Sequence, residues 1–274
     1  MNKYIRAFKE IIPPGLKDTR VYGLLKDFYH WGAITKGHSL YSPRQNKEDK
    51  SVTFSFEGEE YKFRLSGGSY VSTLLQEMLF FGGELNGYRK GRKLKSGDCI
   101  IDLGAFPGDF SIYAGKIVGD RGKVIAFEPG KENMKVLEDN IRLNGLGERV
   151  VIVNKGAWYR EETLRFRESA QESHVDKVGG IEVIATDLDS ELKRLAVPYE
   201  SVSFVKVDIE GAELEALKGM TKLLEEGSPF LAIASYHVRD GKQTHEEVEQ
   251  ILKERGFEVK TDFPQHLTTC AWKA

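Results

Sequence analysis

The chain is poor in cysteine and in long apolar runs. Only two cysteines, Cys99 and Cys270, occur among 274 residues, too few for a disulfide framework or a thiolate metal site. No stretch approaches the roughly 18 to 20 uninterrupted apolar residues of a transmembrane helix. The opening MNKYIRAFKEIIPPG also lacks the continuous apolar core of a signal peptide. These absences predict a cytoplasmic protein without a membrane partner.

An excess of one charge is missing as well. The 40 lysines and arginines nearly balance the 42 aspartates and glutamates, which leaves a formal net charge of -2. Proteins that bind nucleic acid usually carry a basic surplus, so we do not expect nucleic acid as the main partner. The hydrophobic content of 40% and the charged content of 30% are ordinary for a globular protein of one large or two modest domains.

The apolar pattern changes near residue 95. Residues 17–32 and 69–83 have the spacing of helices, and residues 51–65 alternate as a β-hairpin does. Residues 41–50 are polar without periodicity, which predicts an exposed loop. We therefore predict an N-terminal cap of helices and a hairpin over residues 1–95.

Short apolar strands alternate with amphipathic helices over residues 96–274. This alternation predicts an α/β domain with a mostly parallel sheet covered on both faces. Thr244 and Glu247 form the sequence pattern of a capping box, and Gly256 is placed to end that helix. The predicted strands are 99–103, 123–128, 150–154, 203–208, 230–235, 258–262 and 268–272, and the predicted helices are 131–144, 212–224 and 244–256.

The segment IDLGAFPGDF follows the first strand of this domain with a glycine-containing loop. In open α/β sheets ligands bind beyond the carboxyl ends of the strands, where the strand order reverses. Glycine allows a ligand to approach the backbone or allows positive φ, and the next helix directs its free N–H groups toward the same place. The predicted cofactor contacts in this segment are Asp102, Gly104, Ala105, Phe106, Gly108, Phe110 and Ser111.

The second strand ends in the sequence FEP, with Glu128 and Pro129 at its tip. A carboxylate there can accept hydrogen bonds from the two hydroxyls of a ribose, which predicts an adenosine-containing cofactor. A dinucleotide fingerprint would need a second glycine where Phe106 stands, and Asp102 suits an ammonium group better than a diphosphate. We therefore expect S-adenosylmethionine, with Gly156 and Ala157 contacting its adenine through the backbone.

The segment FVKVDIEGAELEALKG carries charged residues in a strand that should be apolar on both faces. Asp208 falls at the carboxyl end of this strand, and burying such a charge without a partner is costly. Methyl transfer requires alignment of donor and acceptor, and a hydroxyl acceptor benefits from a base. Asp208, Glu210 and His237 are the candidate catalytic residues. The alternative is an ion-paired strand end followed by helix-capping acids.

The same acids raise the question of a metal. Asp208, Glu210, Glu213 and His237 could gather around a magnesium ion. Nothing in their spacing demands such an ion, so the sequence predicts no metal site.

Four segments in their order resemble the FkbM family of methyltransferases over roughly residues 95–240. They read IIDLGAFPGDFS, VIAFEP, ATDLDS and VKVDIEGAELEALKG. The resemblance implies a Rossmann-like class I methyltransferase sheet of seven strands with the last antiparallel, and O-methylation of a hydroxyl on a sugar or other small metabolite. It implies cofactor contacts at Asp102, Gly104, Gly108 and Glu128, and active-site acids at Asp208 and Glu210, with Asp208 also near the cofactor.

The chain departs from the family pattern at two places. Phe106-Pro107 stands where the family often has asparagine, and Ser235 or Tyr236 stands where it often has glutamate. These departures bear on how the methionine tail and the acceptor are held.

Three other functions remain open at this stage. Residues 132–146 also resemble a helix of RNA methyltransferases, although the balanced charge and the missing Asn/Asp-Pro-Pro-Tyr motif argue against RNA. A nicotinamide-dependent oxidoreductase is disfavoured by Phe106. A cofactor-binding module without catalysis would make Asp208 structural. The expected partner is a small hydroxyl-bearing molecule, and a homodimer is left open.

Overall fold

The computed structural model describes residues 44–46, 48, 51–64, 85–167, 174–175, 180–239, 241–262 and 266–273. The helices predicted over residues 17–32 and 69–83 lie outside these ranges. The strands are β1 Arg44–Gln45, β2 Val52–Phe56, β3 Glu59–Phe63, β4 Cys99–Leu103, β5 Lys123–Phe127, β6 Val150–Val153, β7 Gly156–Ala157, β8 Glu162–Arg167, β9 His174–Val175, β10 Ile181–Thr186, β11 Val202–Val207, β12 Phe230–Ala234, β13 Val238–Arg239, β14 Lys242–Gln243, β15 Glu258–Asp262 and β16 Thr268–Trp272. The helices are α1 Leu85–Arg89, α2 Asp109–Val118, α3 Lys131–Leu143, α4 Leu188–Arg194, α5 Glu213–Lys218, α6 Thr221–Glu226 and α7 His245–Glu254.

A seven-stranded sheet in the order β15-β16-β12-β11-β4-β5-β6 forms the centre of the structure. Strands β12, β11, β4, β5 and β6 pair in parallel, and β16 runs antiparallel to both of its neighbours. This arrangement confirms the predicted Rossmann-like sheet with its antiparallel last strand. Within this sheet the chain begins at β4, continues through β5 to β6 at one edge and then returns to β11 on the other side of β4. The strand order therefore reverses between β4 and β11.

Apolar side chains on alternating positions bury both faces of this sheet. Ile100 and Phe204 belong to a cluster on one face, which α2 and α3 help to cover. Ile101 and Val205 belong to a cluster on the other face, which is covered by residues of α4 to α7. Burial on both faces explains why the strands read as continuous apolar runs.

The β2–β3 hairpin packs against the first of these faces. Phe54, Tyr61 and Phe63 are buried in the same cluster as Ile100, and β2 pairs antiparallel with β3, which confirms the predicted hairpin. The prediction that residues 41–50 form only a loop is wrong, because β1 pairs with β2 through its backbone, a contact that needs no apolar pattern. The proposed division at residue 95 stays a prediction, although the hairpin shares its core with the sheet.

Two amides of α3 hold the hairpin in place. Asn144 exchanges hydrogen bonds with the backbone of Lys62, at 3.1 and 2.7 Å. Asn140, which is fully buried, accepts a 2.7 Å hydrogen bond from the N–H of Arg64 and donates a 2.9 Å hydrogen bond to the carbonyl of Pro107. Asn140 therefore connects the hairpin to the loop after β4.

The helix predicted over residues 212–224 is two helices, α5 and α6. The break follows Gly219, where a Cβ atom would lie 1.9 Å from the carbonyl oxygen of Trp158. The predicted capping box is also wrong, because the Thr244 side chain makes no cap hydrogen bond. Gly256 has φ 78 and follows the end of α7, as predicted.

A smaller four-stranded sheet has the order β7-β10-β8-β9. It positions Gly156 and Ala157, since β7 pairs in parallel with the end of β10. Among the residues that the structure describes, no helix is both long and apolar enough to cross a membrane.

Candidate active site

A buried ion pair joins the ends of β4 and β11. Asp102 is fully buried, its Oδ1 lies 3.0 Å from Lys206 Nζ, and its Oδ2 accepts a 2.6 Å hydrogen bond from Ser111 Oγ. Lys206 Nζ also donates to the carbonyl of Gly104 at 2.7 Å. Burial lowers the pKa of Lys206, but Asp102 and Asp208 raise it more, so the net pKa lies above the usual range. The ammonium that we expected from a ligand is therefore already supplied to Asp102 by Lys206.

The loop after β4 owes its shape to a contact with the loop after β11. Gly104 has φ 78, and a Cβ atom there would lie 1.8 Å from the carbonyl oxygen of Asp208. The N–H groups of Gly104 and Ala105 both donate to the carbonyl of Phe127, at 3.1 and 3.0 Å. Gly108, with φ 108, precedes the first turn of α2. Glycine at position 104 is thus required by the protein's own backbone, whether or not a ligand lies nearby.

Three further predicted cofactor residues differ in exposure. Phe106 is partly exposed, whereas Phe110 and Ser111 are buried. The Phe110 ring packs against Phe204 and Tyr88, with centroids 5.8 and 5.9 Å away. The side chains of Phe110 and Ser111 therefore support the loop from inside, and a cofactor contact through their backbone stays a prediction.

Glu128 lies at the tip of β5, next to the loop of β4. Its Oε1 accepts a 2.9 Å hydrogen bond from the N–H of Gly130 and lies 3.4 Å from Asn133 Nδ2. Its backbone carbonyl accepts from Asn154 Nδ2 at 2.9 Å. These bonds fix the carboxylate where the sequence predicts the ribose contact.

Gly156 and Ala157 lie close to this acid. A Cβ atom at Gly156 would lie 3.7 Å from Pro129 Cβ, which places β7 beside the tip of β5. Ala157 is buried. The structure thus brings Glu128, Pro129 and Gly156 together, as an adenosine site would require.

Asp208, Glu210, Glu213 and His237 form what we call the histidine–carboxylate cluster. His237 Nε2 lies 3.3 Å from Glu210 Oε2 and 3.7 Å from Asp208 Oδ1. On its other side, His237 Nδ1 lies 2.9 Å from Glu213 Oε1. The three predicted catalytic residues therefore meet, with the fully buried Glu213 carboxylate behind them.

A tight turn after β11 produces this arrangement. The N–H of Asp208 donates to the carbonyl of Leu103 at 3.0 Å. Glu210 has φ 55 and Gly211 has φ 96, and left-handed backbone costs a residue with a side chain about 1 to 2 kcal/mol. Glu213 Oε1 stabilises the turn by accepting from the N–H of Gly211 at 3.0 Å. A strained residue held by its surroundings is common at functional sites.

The cluster carries more negative than positive charge. Burial lowers the pKa of His237, but contacts with Glu210, Glu213 and Asp208 raise it to about 10. Burial also raises the pKa of Asp208, but Lys206 and other neighbours lower it more, so the net pKa lies below its usual range. At neutral pH the protein therefore holds an imidazolium among carboxylates.

The sequence analysis does not predict Tyr88 or His266, whose side chains lie at this site. Tyr88 Oη donates a 2.7 Å hydrogen bond to Asp208 Oδ2, and its ring lies 5.4 Å from that of His266. Tyr236 lies between the two histidines, with its ring centroid 4.2 Å from that of His237 and 4.5 Å from that of His266. No motif marks Tyr88. His266 could have been found, since a residue just before an antiparallel strand lies at the same edge as the carboxyl ends of the parallel strands.

Comparison with known proteins places this site in a family. Residues 102–259 match the Methyltransferase FkbM domain. The chain belongs to the FkbM methyltransferase family, which confirms the resemblance found in the sequence. It is 28% identical over 209 residues to methyltransferase sdnD of Sordaria araneosa, covering 62% of this chain and 77% of that protein.

The fold is shared by a solved structure of the same family, described first below. The FkbM methyltransferase of Methylobacillus flagellatus KT superposes with a TM-score of 0.53 at 19% identity, over 74% of this chain and 54% of its own. The chain thus spans about half of that protein. Aeropyrum pernix fibrillarin, solved with natively bound S-adenosyl-L-methionine, has a TM-score of 0.46 at 13% identity, over 84% of this chain and 97% of its own.

Proposed function

We propose that this protein is an S-adenosylmethionine-dependent methyltransferase that methylates a hydroxyl of a small molecule such as a sugar. The observation that carries the proposal is the histidine–carboxylate cluster after β11. It lies beside the loop of β4, and β4 separates β11 from β5, which carries Glu128 at its tip. Membership of a methyltransferase family favours methyl transfer over hydride transfer. The near-neutral charge favours a small acceptor over RNA.

The residues at the carboxyl edge fit the cofactor. Glu128, oriented by the N–H of Gly130, would bind the ribose hydroxyls, and Gly156 and Ala157 would lie beside the adenine. Asp102 would act by fixing Lys206 and Ser111 beneath the loop. When bound, the cofactor supplies a methyl group on a sulfonium sulfur, which is transferred to the acceptor oxygen as the S–CH3 bond breaks.

The chain's own part is to align the hydroxyl and take its proton. Asp208 is ionised and held on one side by Tyr88 Oη, which directs Oδ1 toward the cluster. His237 is already protonated at neutral pH, so Asp208 and Glu210 are the proton acceptors of the three. General-base assistance of this kind contributes roughly 10²- to 10⁴-fold to a rate.

The cofactor assignment is tested by calorimetric titration with S-adenosylhomocysteine. We expect micromolar binding, weakened at least tenfold by Glu128→Ala, which equals about 1.4 kcal/mol. Glu132→Ala is the matched control, because Glu132 lies in the same segment but is exposed and paired with Lys135. Absence of binding, or tighter binding of NADH, would overturn the proposal.

The catalytic assignment is tested with Asp208→Asn. This variant should bind S-adenosylhomocysteine as the unmodified protein does but lose roughly 10²-fold or more in turnover, measured as S-adenosylhomocysteine formed with a panel of sugars and other hydroxyl compounds. Equal loss of cofactor binding and folding would make Asp208 structural.

We also propose a cytoplasmic location. Cys99 and Cys270 are both free thiols, which a reducing compartment would preserve.

A further inference from the structure

We propose that Asp208, Glu210 and His237 bind one divalent cation, and that the cation holds the acceptor through two neighbouring oxygens. The statement about the acceptor rests on the proposed function. The statement about the cation does not, because it depends only on side chains of this chain.

The ligand atoms are suitably spaced. One atom from each of the three residues lies within 4.8 Å of the other two. Adjacent ligands of an octahedral ion with metal–ligand distances of about 2.1 Å are separated by about 3 Å. His237 Nε2 is 3.3 Å from Glu210 Oε2 and 3.7 Å from Asp208 Oδ1. Small side-chain movements would therefore bring both separations to the value expected for adjacent ligands.

The buried imidazole of His237 is a second and independent indication. Its side chain is only 9% exposed, and neither ring nitrogen makes a well-formed hydrogen bond, although Nε2 lies 3.3 Å and 3.7 Å from oxygens of two carboxylates. Glu213 Oε1 lies 2.9 Å from Nδ1. A cation that binds Nε2 would displace the proton from that nitrogen and leave the other proton on Nδ1, beside the Glu213 carboxylate. Metal-binding histidines commonly pass their other N–H to a carboxylate in this way.

The charges around this point are unbalanced. Three carboxylates face one imidazole, and the ammonium of Lys206, which also stabilises the charge of Asp208, is paired directly with Asp102. Tyr88 Oη occupies Asp208 Oδ2, whereas Asp208 Oδ1 is buried and makes no hydrogen bond. Buried charge without compensation is costly, and a divalent cation would compensate it.

The ligand set also indicates what the cation would do. Carboxylates suit Mg²⁺ and Mn²⁺, whereas an imidazole suits later transition-metal ions such as Fe²⁺, Ni²⁺ and Zn²⁺. Three protein ligands leave about three positions on an octahedral ion, enough for two adjacent oxygens of a diol or hydroxy acid. A hydroxyl bound to a cation becomes more acidic, and in the site proposed above its proton would pass to the carboxylate oxygen of Glu210 that does not bind the cation.

The experiment measures Mn²⁺ binding to the full chain after treatment with EDTA, without cofactor or acceptor. Free Mn²⁺ is followed by its electron paramagnetic resonance signal. We expect one site per chain, displaced by Mg²⁺, with binding at least tenfold weaker in Glu210→Gln and in His237→Gln. Glu246→Gln is the control, because it removes one acid from the exposed face of α7 and should leave the affinity unchanged.

Three outcomes would overturn the proposal: no binding at millimolar Mn²⁺, unchanged binding in Glu210→Gln, or an equal loss in the Glu246→Gln control. Glu210 is 35% exposed, so that variant should fold even if His237→Gln does not. The relaxation rate of water protons in the presence of bound Mn²⁺ gives the number of exchangeable waters on the ion. Fewer than two such waters would contradict the statement that the cation holds the acceptor through two oxygens. Failure of S-adenosylhomocysteine to bind would overturn the proposed function alone.

Discussion

The two neighbouring charged groups at the carboxyl edge of the sheet differ in burial and in charge balance. In the first, Asp102 and Lys206 are 0% and 5% exposed at the side chain and neutralise each other. In the second, the histidine–carboxylate cluster reaches solvent through Glu210, 35% exposed, and gathers three carboxylates around one imidazole. The first group is complete within the protein, whereas the second has charge left for something else.

This difference separates two roles that the sequence could not separate. Removing one partner of a buried ion pair leaves an uncompensated charge and destabilises the fold, so Asp102 and Lys206 connect β4 to β11. Asp102 Oδ1 lies 3.0 Å from Lys206 Nζ, whereas Asp208 Oδ1 in the cluster lies 3.7 Å from His237 Nε2. We therefore propose a structural role for the first group and ligand binding for the second.

The strongest test removes the contact that places the groups side by side. Gly104→Ala would put a Cβ atom 1.8 Å from the carbonyl oxygen of Asp208 at φ 78. We expect a loss of about 4 kcal/mol or more in the free energy of unfolding, measured with urea. Gly145→Ala is the control, since Gly145 has φ 67 but nothing within 4 Å and should lose only about 1 to 2 kcal/mol. Equal losses would show that the two loops can separate without cost.

The second test asks whether the buried pair is structural. Lys206→Met should cost about 3 to 5 kcal/mol, because Asp102 would stay buried without its cation. Lys90→Met is the matched control, since Lys90 pairs with Asp262 at 2.7 Å with both side chains well exposed, and such pairs contribute at most about 1 kcal/mol. Similar unfolding curves for the two variants would show that the buried pair contributes no more to the free energy of unfolding than the exposed pair does.

The third and smallest effect is a pH dependence of the cluster. The folded pKa of His237 is raised to about 10 from 6.5, so its stabilisation is complete below pH 6.5 and is lost as pH rises toward 10. In EDTA, the unfolding free energy should fall between pH 7 and 9 by up to about 1.4 kcal/mol per pH unit relative to His237→Gln. Parallel curves for the two proteins would contradict an imidazolium in the cluster.

Most of the fold could be predicted from the sequence. The strands carry apolar residues on both faces, and the predicted strand at residues 99–103 matches β4 in full. The exceptions depend on long-range contacts. The break between α5 and α6 follows Gly219, where the backbone of Trp158 leaves no room for a Cβ atom. β1 has a polar sequence because it pairs only at an edge.

The candidate site was predictable in part. The sequence predicts Asp208, Glu210 and His237 because they lie at the ends of strands, and the strand order brings them together. Tyr88 could not be chosen, because it reaches Asp208 across 120 residues of sequence from a region without a motif. The pairing of Asp102 with Lys206 also depends on the register of two strands, which the sequence does not state.

Asn140 has a consequence for any shortened form of this chain. The same amide binds the backbone of the hairpin and the carbonyl of Pro107 in the loop after β4. A fragment beginning at residue 96 would leave half of that amide unsatisfied and would uncover the surface on which Phe54 and Phe63 pack. The hairpin is therefore part of the same folded unit as the seven-stranded sheet, and a shortened form of this chain that keeps the fold has to begin upstream of Ser51.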